Sequence, residues 1–502
     1  MLYESTRGKT RPVTSAEAIK MGIAPGGGLF VPDRPVRIIK EQLVEMAGTP
    51  YHQLAQTVLE LFLTDFSVEE IMSCVTRVYN HDKFDVPSIA PLKKLDHGLY
   101  ILELWHGPTC AFKDFALQIL PHLLTSAVAK TGGGEEIAIL VATSGDTGKA
   151  ALEGFKDVPG ARIIVFYPAE GVSEIQKFQM ITQEGGNTYV VAVQGNFDQA
   201  QGWVKEIFAD KDLNEEIRRC GYRFSSANSI NWGRLLPQIV YYFFAYLDLL
   251  ARGELASGEE INFVVPTGNL GNILAAFYAR RMGLPVHHLI LAANQNSVLT
   301  DFIQTGVYDR NRPFYKTISP SMDILISSNL ERLLFECTDR DGKKITAWMA
   351  ELSEKGHYRV DRETHAKISE LFWSAPANDD ETMAAIRDTY QKYNYLIDTH
   401  TAVGKHVYDR YLQATGDRHK TIIASTASPF KFNRSVIAAV WGLTGVRQKS
   451  EFVLLEFLAQ KTGLTIPPGL KDLDKKPVRH TYTVKPEDMP RAVRNILCAR
   501  LF

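Results

Sequence analysis

In "HGPTCAFKDFALQ", residues 106–118, Lys113 stands between Phe112 and Asp114, where a turn gives way to an apolar run. Phe112 and Phe115 flank the amine and favour its desolvation. A helix beginning here adds positive potential, which disfavours the ammonium form. Both influences lower the lysine pKa and suit the amine to nucleophilic and Schiff-base chemistry. Asp114 works in the opposite direction. The plain alternative is a solvated lysine at a helix start.

Three other stretches read as loops at strand ends. "ATSGDTGKAA", 142–151, places Ser144, Gly145, Asp146, Thr147 and Gly148 before a helix that the pattern starts near Lys149. Its amides and hydroxyls suit a carboxylate or phosphate, or else form an ordinary turn with Ser, Asp and Thr as caps. It lacks Walker A spacing. "VVPTGNLGNILAAFYARRMG", 264–283, runs from a buried strand through Gly268, Asn269, Leu270, Gly271 and Asn272 into an apolar helix. Two glycines three apart let a backbone approach a ligand closely, so a phosphate cup fits better than a dinucleotide fingerprint. "IIASTASPFKF", 422–432, ends a strand on Ser425, Thr426 and Ser428. These hydroxyls either cap the next segment or offer a neutral hydrogen bond to a heterocycle nitrogen. A lysine, a phosphate cup and a neutral hydroxyl are the parts needed to hold pyridoxal 5′-phosphate.

The elements around these loops give the fold class. "LYILELW", "EIAILVA", "ARIIVFYP", "NTYVVAV", "INFVVP", "HHLILAA" and "TIIAST" read as short buried strands separated by helical segments. That alternation predicts an α/β protein with mostly parallel sheets, whose ligands bind beyond the carboxyl ends of the strands. Residues 1 to about 95 read as mainly helical. "LLPQIVYYFFAYLDLLA", 235–251, is broken by Pro237, Gln238 and Asp248 and reads as a buried helix rather than a membrane span. A chain of 502 residues predicts two or three domains. The net charge of −1 gives no footprint for nucleic acid or an anionic membrane. Five scattered cysteines without a C-x-x-C pair argue against a disulfide framework or zinc site and for a reducing compartment. The opening residues carry no apolar signal segment, so a cytoplasmic location is expected.

Taken in order, "YESTRG", "GIAPGGGLFVP", the Lys113 segment, "ATSGDTGKAALEGF", "SANSINWGRLLPQIVYYF", "VPTGNLGNILAAFYARRMGLP", "SPSMDILISSNLERLLFE" and "STASPFKF" resemble the longer, yeast and enterobacterial form of the threonine synthases. That family belongs to the fold type II pyridoxal-phosphate enzymes, with tryptophan synthase β. The resemblance implies two open, mostly parallel sheets with flanking helices and a mainly helical N-terminal region over 1–95. It also implies a large cofactor domain over 96–125 and 236–502, and a small mobile domain over 126–235. Lys113 would bond the cofactor, and Gly268, Asn269, Leu270, Gly271 and Asn272 would cup its phosphate. Thr426 would face the pyridine nitrogen, with Ser425 as fallback. Ser144, Gly145, Asp146 and Thr147 would grip the substrate's amino-acid end and the cofactor O3′ edge; shorter relatives have Asn where this chain has Asp146. Asn228, Ser229 and Arg234 match positions that bind the substrate's phosphate, where a planar guanidinium can take two oxygens. On the residues alone, Asn228 and Ser229 serve equally as helix caps and Arg234 as a surface arginine.

The implied reaction converts O-phospho-L-homoserine and water to L-threonine and phosphate, in a monomer or homodimer. A phospho-lyase with the same motifs would release 2-oxobutyrate, ammonia and phosphate. A serine or threonine dehydratase has no use for the "NSINWGR" phosphate grip, and a silent binding protein has none for Lys113. His287 and His288 are adjacent, and His400 lacks an H-E-x-x-H partner, so no catalytic metal is expected.

Overall fold

The computed structural model describes residues 1–498 apart from Ser144, Leu443, Gly445 and Val446, and leaves aside the side chain of Asp198. Two parallel sheets carry the site. The larger has six strands in the spatial order Phe372–Pro376, Val286–Ala293, Ile261–Pro266, Lys420–Ser425, Leu99–Glu103 and Leu92–Asp96. Its neighbours run parallel except for the closing hairpin of Leu92–Asp96 with Leu99–Glu103. The smaller has five parallel strands: Thr483–Val484, Thr188–Val193, Ala161–Pro168, Glu136–Ala142 and Tyr222–Ser225.

The central strands are apolar without alternation because helices cover both faces. Every residue of Ile261–Pro266 is buried, as is every residue of Leu99–Glu103. Each fully buried Val, Ile or Leu contributes about 1.5–3 kcal/mol relative to exposure, so these runs determine which way the sheets stack. The helix Trp232–Ala251 lies in the core with 16 of its 20 residues buried. Among the described residues no helix is long and apolar enough to cross a membrane. The N-terminal region carries helices Ser15–Met21, Lys40–Glu45, Tyr51–Phe62 and Val68–Thr76, tied by the short pair Tyr3–Ser5 and Phe30–Pro32.

Two features depart from the sequence reading. The end of the chain does not stay with the larger sheet. Thr483–Val484 pairs with Ala192 and Val193, and the helix Met489–Leu497 packs Met489, Ala492, Val493 and Ile496 under the smaller one. A two-residue strand is too short to leave a periodic signal. That return also brings Cys498 to Cys220, 278 positions away, as a disulfide with Cα atoms 5.3 Å apart. The scattered cysteines therefore do include one bonded pair. Its partners meet through tertiary packing, which no local spacing encodes.

Candidate active site

Lys113 is the residue just before the short helix Asp114–Leu117, beyond the strand Leu99–Glu103. It is only 8% exposed, and its Nζ lies 5.0 Å from the centre of the Phe112 ring. Phe115 points instead into the core, against Tyr51, Phe84 and Tyr241. Burial lowers the Lys113 pKa. Asp146 pulls the other way, and Lys431 and Arg234 push it down further. Asp114 is not the opposing carboxylate: it accepts hydrogen bonds from the Thr109 amide at 2.9 Å and hydroxyl at 2.7 Å.

The opposing carboxylate is Asp146, and it is the hub of the site. Oδ1 accepts from Lys431 Nζ at 2.8 Å and Gln176 Nε2 at 2.8 Å. Oδ2 accepts from Ser321 Oγ at 3.2 Å and Lys113 Nζ at 3.4 Å. Burial alone would raise the pKa of Asp146, but Lys431 and Lys113 outweigh it and hold the carboxyl well below the usual range. The helix carrying it begins at Asp146, three residues earlier than the sequence suggests, so Asp146 and Thr147 stand in its first turn. Gly145 adopts φ 149°, a backbone conformation that favours glycine, and a Cβ there would displace the Gln176 amide from its place beside Asp146. Asp146 and Gln176 belong to the small-sheet side, whereas Lys113, Ser321 and Lys431 belong to the large-sheet side. The carboxylate therefore joins the two halves across the cleft. Ser144 lies outside the described residues.

Lys431, Gln176 and Ser321 are absent from the sequence reading. Lys431 was within a quoted motif, but nothing in "SPFKF" shows that its side chain is fully buried and bonded to the Thr109 carbonyl at 2.8 Å. Lys431→Met is expected to destabilise the cofactor-free protein by about 3–5 kcal/mol in urea unfolding, because it strips a buried carboxylate of its closest cation. A loss below about 1 kcal/mol would contradict this role.

The second loop joins the strand Ile261–Pro266 to the helix Gly271–Arg281. Leu270 turns into the left-handed region at φ 60°, a conformation that costs an ordinary residue about 1–3 kcal/mol and clusters at ligand sites. Among the described residues, the amides of Gly268, Asn269, Leu270, Gly271 and Asn272 donate to no protein acceptor. Asn272 is buried, its Oδ1 accepts from Tyr241 and Tyr242 at 2.6 Å each, and its Nδ2 has no partner among the described residues. Five free amides and a buried free amide nitrogen at a helix start fit a phosphate. A Cβ on Gly268 would lie 3.0 Å from the Ser321 carbonyl, so only glycine lets these two loops meet without displacement. The Ser321 amide in turn donates to His400 Nε2 at 3.2 Å, and His400 Nδ1 faces Asp398 at 2.8 Å.

At the end of Lys420–Ser425 the two candidate hydroxyls separate. Ser425 Oγ already accepts from Trp105 Nε1 at 3.1 Å and Thr401 Oγ1 at 3.0 Å. The Thr426 hydroxyl has no protein partner among the described residues, while the Thr426 carbonyl pins the Phe112 amide at 2.9 Å beside Lys113. Ser428 caps the following turn through the Phe430 amide. Thr426 is thus the hydroxyl left without a protein partner among the described residues.

Arg234 is buried, not a surface arginine, and burial pushes it down to about 10. Its one protein hydrogen bond goes to the Ala227 carbonyl at 2.7 Å, with no carboxylate partner among the described residues. Asn231, not Asn228 or Ser229, caps its helix through the Gly233 amide. Asn228 and Ser229 are half-buried, and Ser229 Cβ lies 3.5 Å from where a Cβ on Gly271 would stand. The loop is held from behind by the buried Arg332, which donates to the carbonyls of Phe30, Ser229 and Ile230. A second anion-ready surface therefore adjoins the first.

A buried lysine beside an amide cup and a free hydroxyl is the arrangement of a pyridoxal-phosphate site, and the chain matches the family model "Pyridoxal-phosphate dependent enzyme" over residues 83–377. On either side it matches "Threonine synthase N terminus" over 2–79 and "Threonine synthase, C-terminal" over 401–496. It is 39% identical to threonine synthase of Pseudomonas aeruginosa, over 87% of this chain and 90% of that one. The PLP-bound threonine synthase of Brucella melitensis superposes with a TM-score of 0.87 at 33% identity, covering 99% of this chain and 100% of that one. The chain belongs to the threonine synthase family. It is also 40% identical to Homo sapiens threonine synthase-like 1 over 85% of this chain, and that match spans 58% of the human protein's length.

Proposed function

We propose that the protein is a threonine synthase, converting O-phospho-L-homoserine and water to L-threonine and phosphate. The observation that carries this reading is the buried Arg234, without a carboxylate of its own among the described residues, beside a loop whose free amides offer a separate phosphate cup. Two anion sites match a phosphorylated cofactor and a phosphorylated substrate.

The residues fit pyridoxal 5′-phosphate: Gly268 to Asn272 would hold its phosphate, Thr426 its ring nitrogen and Lys113 its carbonyl carbon. When bound, the cofactor supplies a sink for the negative charge that develops on the substrate carbon next to the amine. The protein supplies position and proton transfer. Lys113, shifted toward its neutral form by burial, serves as base at the substrate carbons and returns the proton. Arg234, Asn228 and Ser229 hold the substrate phosphate, so the Cγ–O bond that breaks is fixed in place and the leaving group departs with its charge matched. Hydroxide from water then adds at Cβ, and a proton is delivered to Cγ, which balances the conversion. Thr147 and the start of its helix provide donors for the substrate carboxylate.

Asp146 bridges the two sheets, which supports a smaller unit over 126–235 that closes on a larger one over 96–125 and 236 to about 482 and keeps water out until the carbon skeleton is ready. The C-terminal strand and helix travel with the smaller sheet in this reading. We infer a monomer or homodimer, which sedimentation of the purified protein would distinguish.

The test is product analysis with O-phospho-L-homoserine and pyridoxal phosphate. Threonine and phosphate in equal amounts are expected. Phosphate accompanied by 2-oxobutyrate and ammonia would make the protein a phospho-lyase on the same site.

A further inference from the structure

The opposite edge of the larger sheet holds a second constellation. The strand Val286–Ala293 pairs Val286 with Ile261 and Leu289 with Phe263, so it contains one residue more than its partner. That bulge carries His287 and His288. In a regular strand adjacent side chains point to opposite faces, and a bulge re-aims one of them. Here the two rings come within 4.2 Å at an interplanar angle of 87°. His419, just before the strand Lys420–Ser425, stacks on His287 at 3.9 Å. Glu260, just before Ile261–Pro266, has Oε2 3.5 Å from His287 Nδ1.

We propose that Glu260, His287 and His419 form a binding site for a divalent transition ion of the zinc type. One donor atom from each lies within 4.8 Å of the others. Rotation of these partly exposed side chains, opening the His287–His419 stack, would bring them to the roughly 2.0–2.2 Å metal–ligand distances such an ion requires, leaving water to complete the coordination. Imidazole and carboxylate together select this class over magnesium or calcium.

The surroundings behave as a supporting shell. Asp417 Oδ1 lies 2.6 Å from His419 Nδ1, which directs the Nε2 lone pair of that ring outward. Asp417 is itself fixed, Oδ2 accepting from Tyr411 at 2.6 Å and Asn262 at 2.7 Å. A carboxylate behind a ligating histidine sets its tautomer and strengthens it as a ligand. The site joins the amino ends of three neighbouring strands. Across a strand of about six residues it stands on the order of 20 Å from the loops around Lys113, so its role is to brace the sheet.

Cofactor-loaded protein titrated calorimetrically with Zn²⁺ is expected to bind one equivalent and to melt at a higher temperature with the ion than without it. His287→Ala and His419→Gln should each remove that equivalent, and Asp417→Asn should weaken it roughly 10- to 100-fold. Phosphate release and circular dichroism should match the parent in all three, which separates a lost ligand from a lost fold. No binding by the parent, or unchanged stoichiometry in both histidine variants, would overturn the proposal.

Discussion

Replacing Lys113 by alanine is expected to reduce phosphate release from O-phospho-L-homoserine by more than about 10³-fold and to abolish the visible absorption of the lysine-bound cofactor. Proton transfer by a positioned side chain is alone worth about 10²–10⁴-fold, and burial shifts Lys113 toward neutrality while its Nζ keeps only long contacts, at 3.3 and 3.4 Å. The fold should survive. Asp146 keeps Lys431, Gln176 and Ser321 after the change, so no buried charge is stranded. Activity within tenfold of the parent would remove Lys113 from the chemistry.

Arg234→Met is expected to act with opposite signs on catalysis and stability. If the guanidinium holds the substrate phosphate, losing it costs about 2–5 kcal/mol in kcat/KM, roughly 30-fold to several-thousand-fold. In the substrate-free protein the same group is a buried cation with one carbonyl partner, so methionine should leave urea stability unchanged or raise it. Arg234→Lys should fall between, keeping charge but losing the two-oxygen fork. A structural arginine would give the reverse pattern, with stability falling by several kcal/mol and KM unmoved.

What could be read from the sequence follows from where each constraint originates. The strands were legible because helices bury both faces and leave continuous apolar runs, as at Ile261–Pro266. Lys113, the Gly268–Asn272 loop and Thr426 were legible because each lies at a strand end with local chemistry that an ordinary turn does not need. The start of the helix at Asp146 was not, since Asp and Thr suit a cap and a first turn equally. The partners of Asp146 were illegible for a different reason. Lys431 and Ser321 reach it from segments more than 170 residues away, and nothing local to "SPFKF" or "SPSMD" records that meeting. Cys220 and Cys498 were misread on the same account. His287 and His288 are adjacent and so not at ligand spacing, and a two-residue stretch does not record the bulge that brings their rings to 4.2 Å or the approach of His419 and Glu260 from other strands.

Two buried lysines share one carboxylate, and the account depends on which of them holds the cofactor. Borohydride reduction of the loaded protein, followed by proteolysis and peptide mass mapping, fixes the cofactor to the amine that carries it. The cofactor mass on the peptide containing Lys113, with that containing Lys431 unmodified, is the predicted result. The mass on Lys431 would contradict the assignment of roles at this site.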